Sequence, residues 1–481
     1  VATIPTVSSQ SHIHSITSKT KGVLTLNYLS GILPLSDEGD LLDSRTDSKV
    51  EKANTLLTRQ KQLKKDKRRV LVAAVICYSQ ATEIFDLNVE SFVERSPEIT
   101  STLELMLQRF GDACNEVGKV LLDELRGILQ TRSFVLPIAT SLLLSAEYWF
   151  KEGLTNFQLC NDATNVAFLR CNLCQCCKMR SNVTDLSLPR MVFAGRQDDG
   201  EKNRDIDNIK DASRHLELAH EVLCQRENNP SAWDMVSSEL AATYLILGVK
   251  RRNILIGREP PTLTLRLSPG DERSIIEPLE RAKSIFESLG DQRQSATSQY
   301  HLALYYSKVW TCQRDEARTK EKLSLCFREF GSAHKYFFSN MRFNEDTFVC
   351  LILDLSNLYA TVSSGYECQE KALLCCLDSS DVFSFSCIGA KGERKPGSTK
   401  DSSFEEWFQK MKDLNEKMEK RILSLLSTLV RLEKQTPLPS KYESVYREIL
   451  RLKVSCNSGS SDTSSEKLSS FTYLQMVKKT I

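Results

Sequence analysis

Residues that form turns are scarce in this sequence. Only 19 glycines and 13 prolines occur among 481 residues, whereas proteins typically contain roughly 7% glycine and 5% proline. A fold of many short strands needs turn residues about every 8–12 positions, so the scarcity excludes all-β and collagen-like classes. Because 41% of the residues are hydrophobic and 26% are charged, the chain can build a sizeable core, which excludes a wholly disordered protein.

A strong net charge and a long apolar run are also lacking. The 64 Lys and Arg residues against 62 Asp and Glu residues give +2, so the overall charge does not favour nucleic acid or a membrane surface as partner. The longest apolar stretch, 134–150, contains Pro137 and Glu147 and is shorter than the about 20 residues of a membrane-spanning helix. We predict no membrane span. Residues 1–10 lack the pattern of a secretory signal, and since the first residue is Val1 we interpret the chain as a fragment or a processed product.

Cysteine is too sparse for a disulfide-stapled scaffold. The chain has 16 cysteines, many in apolar helical segments, which favours a reducing compartment. Cys171, Cys174, Cys176 and Cys177 form the densest group and are a weak candidate for zinc binding. On a helix, however, Cys176 points away from Cys171 and Cys174. We therefore predict a thiol-rich packed helix, with zinc binding and redox sensing as the alternatives.

Catalytic motifs are absent. The sequence contains no phosphate-binding glycine loop, no dinucleotide fingerprint, no nucleophile elbow and no zinc-protease motif. Of the six histidines, four lie within helical stretches where a structural position is expected: His215, His220, His301 and His334. We predict that the chain is not an enzyme and that it needs no cofactor.

The apolar residues follow helical spacing. Ile275, Leu279, Ala282 and Phe286 recur every three or four positions, which places them on one buried helix face. Gly290 then predicts the end of that helix. Similar patterns recur over most of the chain, so we predict an all-α fold.

Changes in composition divide the chain into five parts. A Ser- and Thr-rich start and a Ser-rich end flank the helical patterns, and three interruptions that contain glycine and proline divide them. The predicted parts are a poorly ordered lead-in (1–49), a helical array (50–378) with insertions at 181–210 and 253–273, a loop (379–403), C-terminal capping helices (404–454) and a largely disordered tail (455–481). The aromatic-rich helix near Trp407 is predicted to close the array, and docking of a partner helix is the alternative.

A short motif of Leu, a small residue, any two residues and Tyr recurs on four helices. Leu and Tyr four positions apart share one helix face, and the small residue lets a neighbouring backbone approach. Three copies follow a helix with an alanine on its apolar face about 20 residues upstream. The predicted repeat-core residues are Leu144, Tyr148, Leu240, Tyr244, Leu302, Tyr306, Leu355, Tyr359, Ala219, Ala282 and Ala333. A weaker copy begins at Phe110 and Gly111.

This pattern resembles the tetratricopeptide repeat, whose first helix carries Leu-Gly-x-x-Tyr and whose second helix carries spaced alanines. The copies here are more than 34 residues apart and lack the early Trp and the closing Pro of that family. The resemblance implies a right-handed solenoid of helical hairpins, here with loop insertions, which binds other proteins through its concave surface.

A basic run at 59–69 is the strongest charge feature. Lys64, Lys65, Lys67, Arg68 and Arg69 are similar to a nuclear import signal. The alternatives are a solvated helix face and contact with nucleic-acid phosphates, although no known base-reading element accompanies the run.

Taken from 59–85 through the alanine-bearing helices to Tyr446, the chain resembles the C-terminal part of the erythroid differentiation-related factor family. That resemblance implies a nuclear protein that takes part in transcriptional activation during erythroid differentiation, including that of globin genes. The leading hypothesis is a non-catalytic scaffold whose partners are transcription-associated proteins and whose contact with nucleic acid is indirect. The alternatives are a cytoplasmic adaptor of the same architecture and direct nucleic-acid binding through 59–69.

Overall fold

The structure is a computed structural model. It describes residues 66–83, 97–130, 136–191, 199–257, 267–312, 316–341, 344–379, 382, 402–435, 441–458 and 478. The chain divides into two units, Val1–Lys67 and Arg68–Ile481. Only Asp66 and Lys67 of the first unit are described, so the packing given below is that of the second. The predicted lead-in (1–49) and nearly all of the tail beyond Ser458 lie outside the described residues.

The described residues form thirteen helices and no strand, which confirms the predicted all-α fold. Within these residues, no helix combines the length and the apolar character that crossing a membrane requires. The helices are α1 (66–83), α2 (Pro97–Gln130), α3 (Leu136–Leu159), α4 (Ala163–Met191), α5 (Asp199–Leu223), α6 (Pro230–Gly257), α7 (Pro269–Leu289), α8 (Gln292–Cys312), α9 (Glu316–Ser339), α10 (Glu345–Val362), α11 (Tyr366–Asp378), α12 (Ser402–Glu433) and α13 (Glu443–Ser458).

Local sequence signals set the ends of several helices. The Ser268 side chain accepts a hydrogen bond from the backbone N–H of Asp271, which caps the start of α7 ahead of Pro269. Gly290 ends α7 in the left-handed region with φ 76°, a conformation that glycine adopts without strain. One residue later, Asp291 Oδ1 accepts from the N–H of Gln294 at 3.0 Å and caps α8. The chain therefore reverses between α7 and α8 within two residues.

Consecutive helices pack into hairpins. The pairs are α2 with α3, α4 with α5, α6 with α7, α8 with α9, and α10 with α11, and each hairpin also packs on the next. Every even-numbered helix from α2 to α10 contacts the next even-numbered helix, whereas the described odd-numbered helices contact one another less. The even-numbered helices are thus the more closely spaced layer, which is the concave side of a curved solenoid. This packing agrees with a helical-repeat solenoid.

Most of the predicted repeat-core residues are buried. Those with at most 6% of their surface exposed are Leu240, Tyr244, Leu302, Tyr306, Leu355, Ala219, Ala282 and Ala333. Tyr359 is half-buried and contacts the ring of Phe327, with ring centroids 5.1 Å apart. The helices that carry these copies, α6, α8 and α10, are each the first helix of a hairpin.

The prediction that the motif copy on α3 lies in the core is wrong. Leu144 and Tyr148 are 49% and 41% exposed, so they are not core residues. The reason is that α3 is the second helix of its hairpin and buries a different face, which includes Leu143, Ala146 and Phe150. On α2, the first helix of that hairpin, the weaker copy at Phe110 is the buried one.

The prediction of an insertion at 181–210 is also corrected by the structure. Helix α4 continues to Met191 and α5 begins at Asp199, so most of this segment is helical. Two of its polar residues are buried: Ser181 donates a hydrogen bond to Asp205, and Lys250 Nζ of α6 lies 2.5 Å from Asp205 Oδ2. At Ser181 and Asp205 the polar composition thus belongs to a buried, paired network and not to a surface loop. At 253–273 the described residues are helical up to Gly257 and again from Pro269.

Helix α7 lies where two clusters of core residues meet. Ala282 and Phe286 belong to a core cluster with α4, α5 and α6, whereas Ile275 and Leu279 belong to a cluster that extends from α8 to α13. Pro278 lies inside α7, where its missing N–H removes one helical hydrogen bond. One helix therefore takes part in both core clusters.

Candidate functional site

A groove opens on the even-numbered, concave layer in the N-terminal part of the array. It has a volume of about 610 Å³ and is lined by three successive first helices, α2, α4 and α6. The lining residues are Asp112, Asn115, Glu116, Lys119, Asn165, Phe168, Cys171, Asn172, Gln175, Met235 and Glu239. We call this site the α2–α4–α6 groove. Most of the side chains that line this groove are polar.

Helical spacing places these residues in rows. Asp112, Glu116 and Lys119 are four and three positions apart on α2, and Asn165, Asn172 and Gln175 are separated by seven and three positions on α4. Residues at such spacings share one helix face. Helices α2 and α4 therefore each present a polar row to the opening, whereas α6 contributes Met235 and Glu239.

Amide side chains connect the three helices across the groove. Asn172 Nδ2 donates to Asn115 Oδ1 at 2.8 Å and so joins α4 to α2. Gln175 Nε2 donates to Glu239 Oε1 at 2.7 Å and joins α4 to α6. Lys178 Nζ lies 2.5 Å from the same carboxylate oxygen. These bonds hold the rows in a fixed register before any partner binds.

Capping at the starts of two helices also fixes this register. Asp162 Oδ1 accepts from the backbone N–H of Asn165 at 3.0 Å, at the start of α4. Asn229 Oδ1 accepts from the N–H of Ala232 at 3.2 Å, at the start of α6, and Asn229 Nδ2 donates to Thr164 Oγ1 at 3.2 Å. Helices α4 and α6 are therefore tied together at their first turns.

Carboxylates outnumber cations in the groove lining. Burial raises the pKa of Asp112, and the neighbouring Asp162 and Glu116 raise it further, while Arg109 lowers it. The single lining cation, Lys119, is paired with Glu116 at 2.9 Å. A half-buried carboxylate with a raised pKa at the edge of a cavity is a feature that binding sites often share.

The cysteine group lies in α4, where Cys171 lines the groove and the other three thiols do not. Cys171, Cys174, Cys176 and Cys177 are all buried free thiols. Burial raises the pKa of Cys171 and Cys174 to about 12 and that of Cys177 to about 11, and it also raises that of Cys176. In the metal-free protein these thiols are therefore protonated at neutral pH. Within the described ranges, no group of three or more His, Cys, Asp or Glu residues is placed to hold a metal ion.

The described residues of the predicted import signal lie in different environments. Lys67 and Arg69 are exposed, and Lys64 and Lys65 lie outside the described residues. Arg68 is half-buried, and its Nη1 lies 3.1 Å from Glu124 Oε2 on α2. Arg68 thus contributes to the fold through an ion pair.

A second polar cluster connects α6, α8 and α10. Arg252 Nη1 lies 3.0 Å from His301 Nδ1, and the ring of His301 stacks on Tyr300, whose hydroxyl donates to Asp354 Oδ2 at 2.6 Å. Burial, followed by the charge of Arg252, lowers the pKa of His301 to about 4. At neutral pH this histidine is therefore uncharged, and its Nδ1 can accept a hydrogen bond from Arg252.

Sequence reasoning missed the groove residues. Asn115, Asn172 and Gln175 belong to no recognised motif, and polar residues at helical spacing also occur on any solvated face. One sequence signal could have indicated the groove: the helices α2 and α4 combine polar rows with glycines or cysteines on the adjacent buried faces.

Comparison with known proteins places the groove in a recognised segment. Residues 106–251 match the family described as erythroid differentiation-related factor 1-like, TPR repeats, and all the groove residues fall within this range. The chain is also 25% identical over 184 residues to erythroid differentiation-related factor 1 of Homo sapiens. This alignment covers 37% of the present chain and 14% of the human protein. Over residues 106–251 the chain is therefore similar to erythroid differentiation-related factor 1-like proteins with tetratricopeptide repeats.

Proposed function

We propose that this chain is a non-catalytic scaffold whose α2–α4–α6 groove binds an extended segment of a partner protein. One observation carries the proposal: the groove is built from three successive first helices, and all its lining residues lie within the matched repeats, 106–251. Concave surfaces of helical-repeat proteins are suited to extended ligands, because each repeat contributes one row of side chains.

We further propose that this scaffold acts in the nucleus, in transcriptional activation during erythroid differentiation, and that globin genes are among its targets. The similarity to erythroid differentiation-related factor 1 supports this setting, and the exposed Lys67 and Arg69 support nuclear import. A cytoplasmic adaptor of the same architecture is the alternative. Direct nucleic-acid binding through 59–69 is less favoured, since the ion pair with Glu124 already engages Arg68.

A substitution that fills the groove should abolish function without disturbing the fold. Met235 lines the groove and is 45% exposed, so Met235→Arg places a long cation there at little cost in stability. In erythroid cells depleted of the endogenous protein, wild type should restore globin transcripts, and we expect Met235→Arg to restore about a tenth as much or less.

Leu144→Arg is the matched control, because Leu144 is 49% exposed on a second helix away from the groove. This variant should restore globin transcripts like wild type. Equal rescue by both variants, with both proteins folded, would contradict a role of the groove. Failure of wild type to restore the transcripts would contradict the proposed transcriptional setting.

The import proposal has its own variant. Changing Lys64, Lys65, Lys67 and Arg69 to Ala while keeping Arg68 removes the run but leaves the ion pair to Glu124 intact. Imaging of the tagged protein should show it shifted from nucleus to cytoplasm, with an unchanged thermal unfolding midpoint. An unchanged nuclear fraction would assign the run to a solvated helix face.

A further inference from the structure

We infer that the α2–α4–α6 groove selects a basic segment, with lysine or arginine side chains directed at its carboxylates and with the segment's main chain held by its amides. This inference rests on the proposed function, since it names the chemistry of the partner for the same groove. It depends on which hydrogen-bonding atoms the groove leaves unused.

The amides of α4 present acceptors. The side-chain NH₂ groups of Asn165, Asn172 and Gln175 donate to Asp162, Asn115 and Glu239, respectively. Their carbonyl oxygens have no partner in the part of the chain that the structure describes. A ligand that meets this row must therefore supply donors, which the N–H groups of an extended main chain and the side chains of lysine and arginine do.

The formal charges of the lining point the same way. The lining contains three carboxylates, those of Asp112, Glu116 and Glu239, and a single cation, Lys119. The lining itself therefore carries an excess of negative charge. Lys178 and Arg109 pair with two of these carboxylates from outside the lining. A carboxylate accepts several hydrogen bonds, so each one retains acceptor capacity for an incoming cation.

Two apolar side chains complete the match to lysine or arginine. Phe168 and Met235 lie in the lining on facing helices, α4 and α6. Long basic side chains bury their methylene stems on such surfaces while their charged ends reach a carboxylate. An acidic segment finds only one cation in the lining, whereas a basic segment finds three carboxylates.

Fluorescence anisotropy with two labelled peptides tests the inference. The probes are ten-residue peptides of alternating lysine and serine and of alternating glutamate and serine. We expect the lysine peptide to bind about tenfold more tightly than the glutamate peptide, and we expect Asp112→Asn combined with Glu116→Gln to weaken it about tenfold. The control is Asp123→Asn combined with Glu221→Gln, which removes the same charge at exposed positions outside the groove.

Equal binding of both peptides, or equal weakening by both double variants, would overturn the inference, because either result shows attraction by overall charge alone. Preferential binding of the glutamate peptide would overturn it as well. The globin experiment with Met235→Arg separates the two proposals: if that variant fails to rescue and the lysine peptide shows no preference, the groove functions but its partner is not basic.

Discussion

Valine in place of Gly118 is expected to lower the free energy of unfolding by about 3 kcal/mol. Gly118 lies on α2, where a Cβ atom would be 2.5 Å from Cε1 of Phe150 on α3. The ring of Phe150 is fully buried, so it cannot move aside without displacing neighbours. The two helices must separate or the ring must leave its rotamer, and both changes weaken the hairpin that forms one wall of the groove.

Gly127→Ala is the control on the same helix. A Cβ at Gly127 has no atom within 4 Å, so this change should instead raise the free energy of unfolding by about 0.5–1 kcal/mol through helix propensity. Urea unfolding of both variants measures the difference. If Gly118→Val unfolded at the same urea concentration as wild type, the close contact between α2 and α3 would be wrong.

Acidification from about pH 7 to about pH 4 is expected to remove about 3 kcal/mol of stability through His301. The pKa of this residue falls from 6.5 in its unperturbed state to about 4 in the folded protein. Between these values the unfolded chain binds a proton that the folded chain does not. The contribution is therefore fully present above about pH 6.5 and is lost as the pH falls toward about 4.

The variant His301→Asn isolates this effect. An asparagine oxygen at the position of Nδ1 can still accept from Arg252, and it does not titrate. Its free energy of unfolding should fall less steeply than that of wild type between about pH 6.5 and about pH 4. Over this range the loss in the variant should be smaller by about 3 kcal/mol. His220→Asn, at a less deeply buried histidine on α5, should change the slope less. A wild-type slope in His301→Asn would show that the folded protein protonates His301 freely.

The helices were predictable where local chemistry determines them. The stripe from Ile275 to Phe286 predicted α7, and Gly290 predicted its end, because spacing and backbone conformation are local properties. The segment around Tyr446 likewise predicted α13. In these places the sequence pattern and the tertiary packing require the same residues.

Prediction failed where burial depends on a helix's position in its hairpin. Leu144 and Tyr148 have the same motif as Leu240 and Tyr244, but the motif does not state whether its helix is the first or the second of a pair. Polar residues misled for a related reason. Ser181 and Asp205 suggest a loop until Lys250, far away in sequence, is placed beside them. The groove was hidden for the same reason, since its lining residues meet only after α2, α4 and α6 are stacked.

The sharing of α7 between two core clusters has a practical consequence for dissecting the protein. The recognised repeats end at 251, inside α6, yet Ala282 and Phe286 of α7 cover the apolar face of α6 that carries Leu240 and Tyr244. A fragment cut at the limit of recognition would leave that face open to water and prone to self-association. A cut after α7 keeps the face covered but exposes Ile275 and Leu279 instead. The boundaries by which the repeats are recognised are thus not boundaries at which the molecule can be divided.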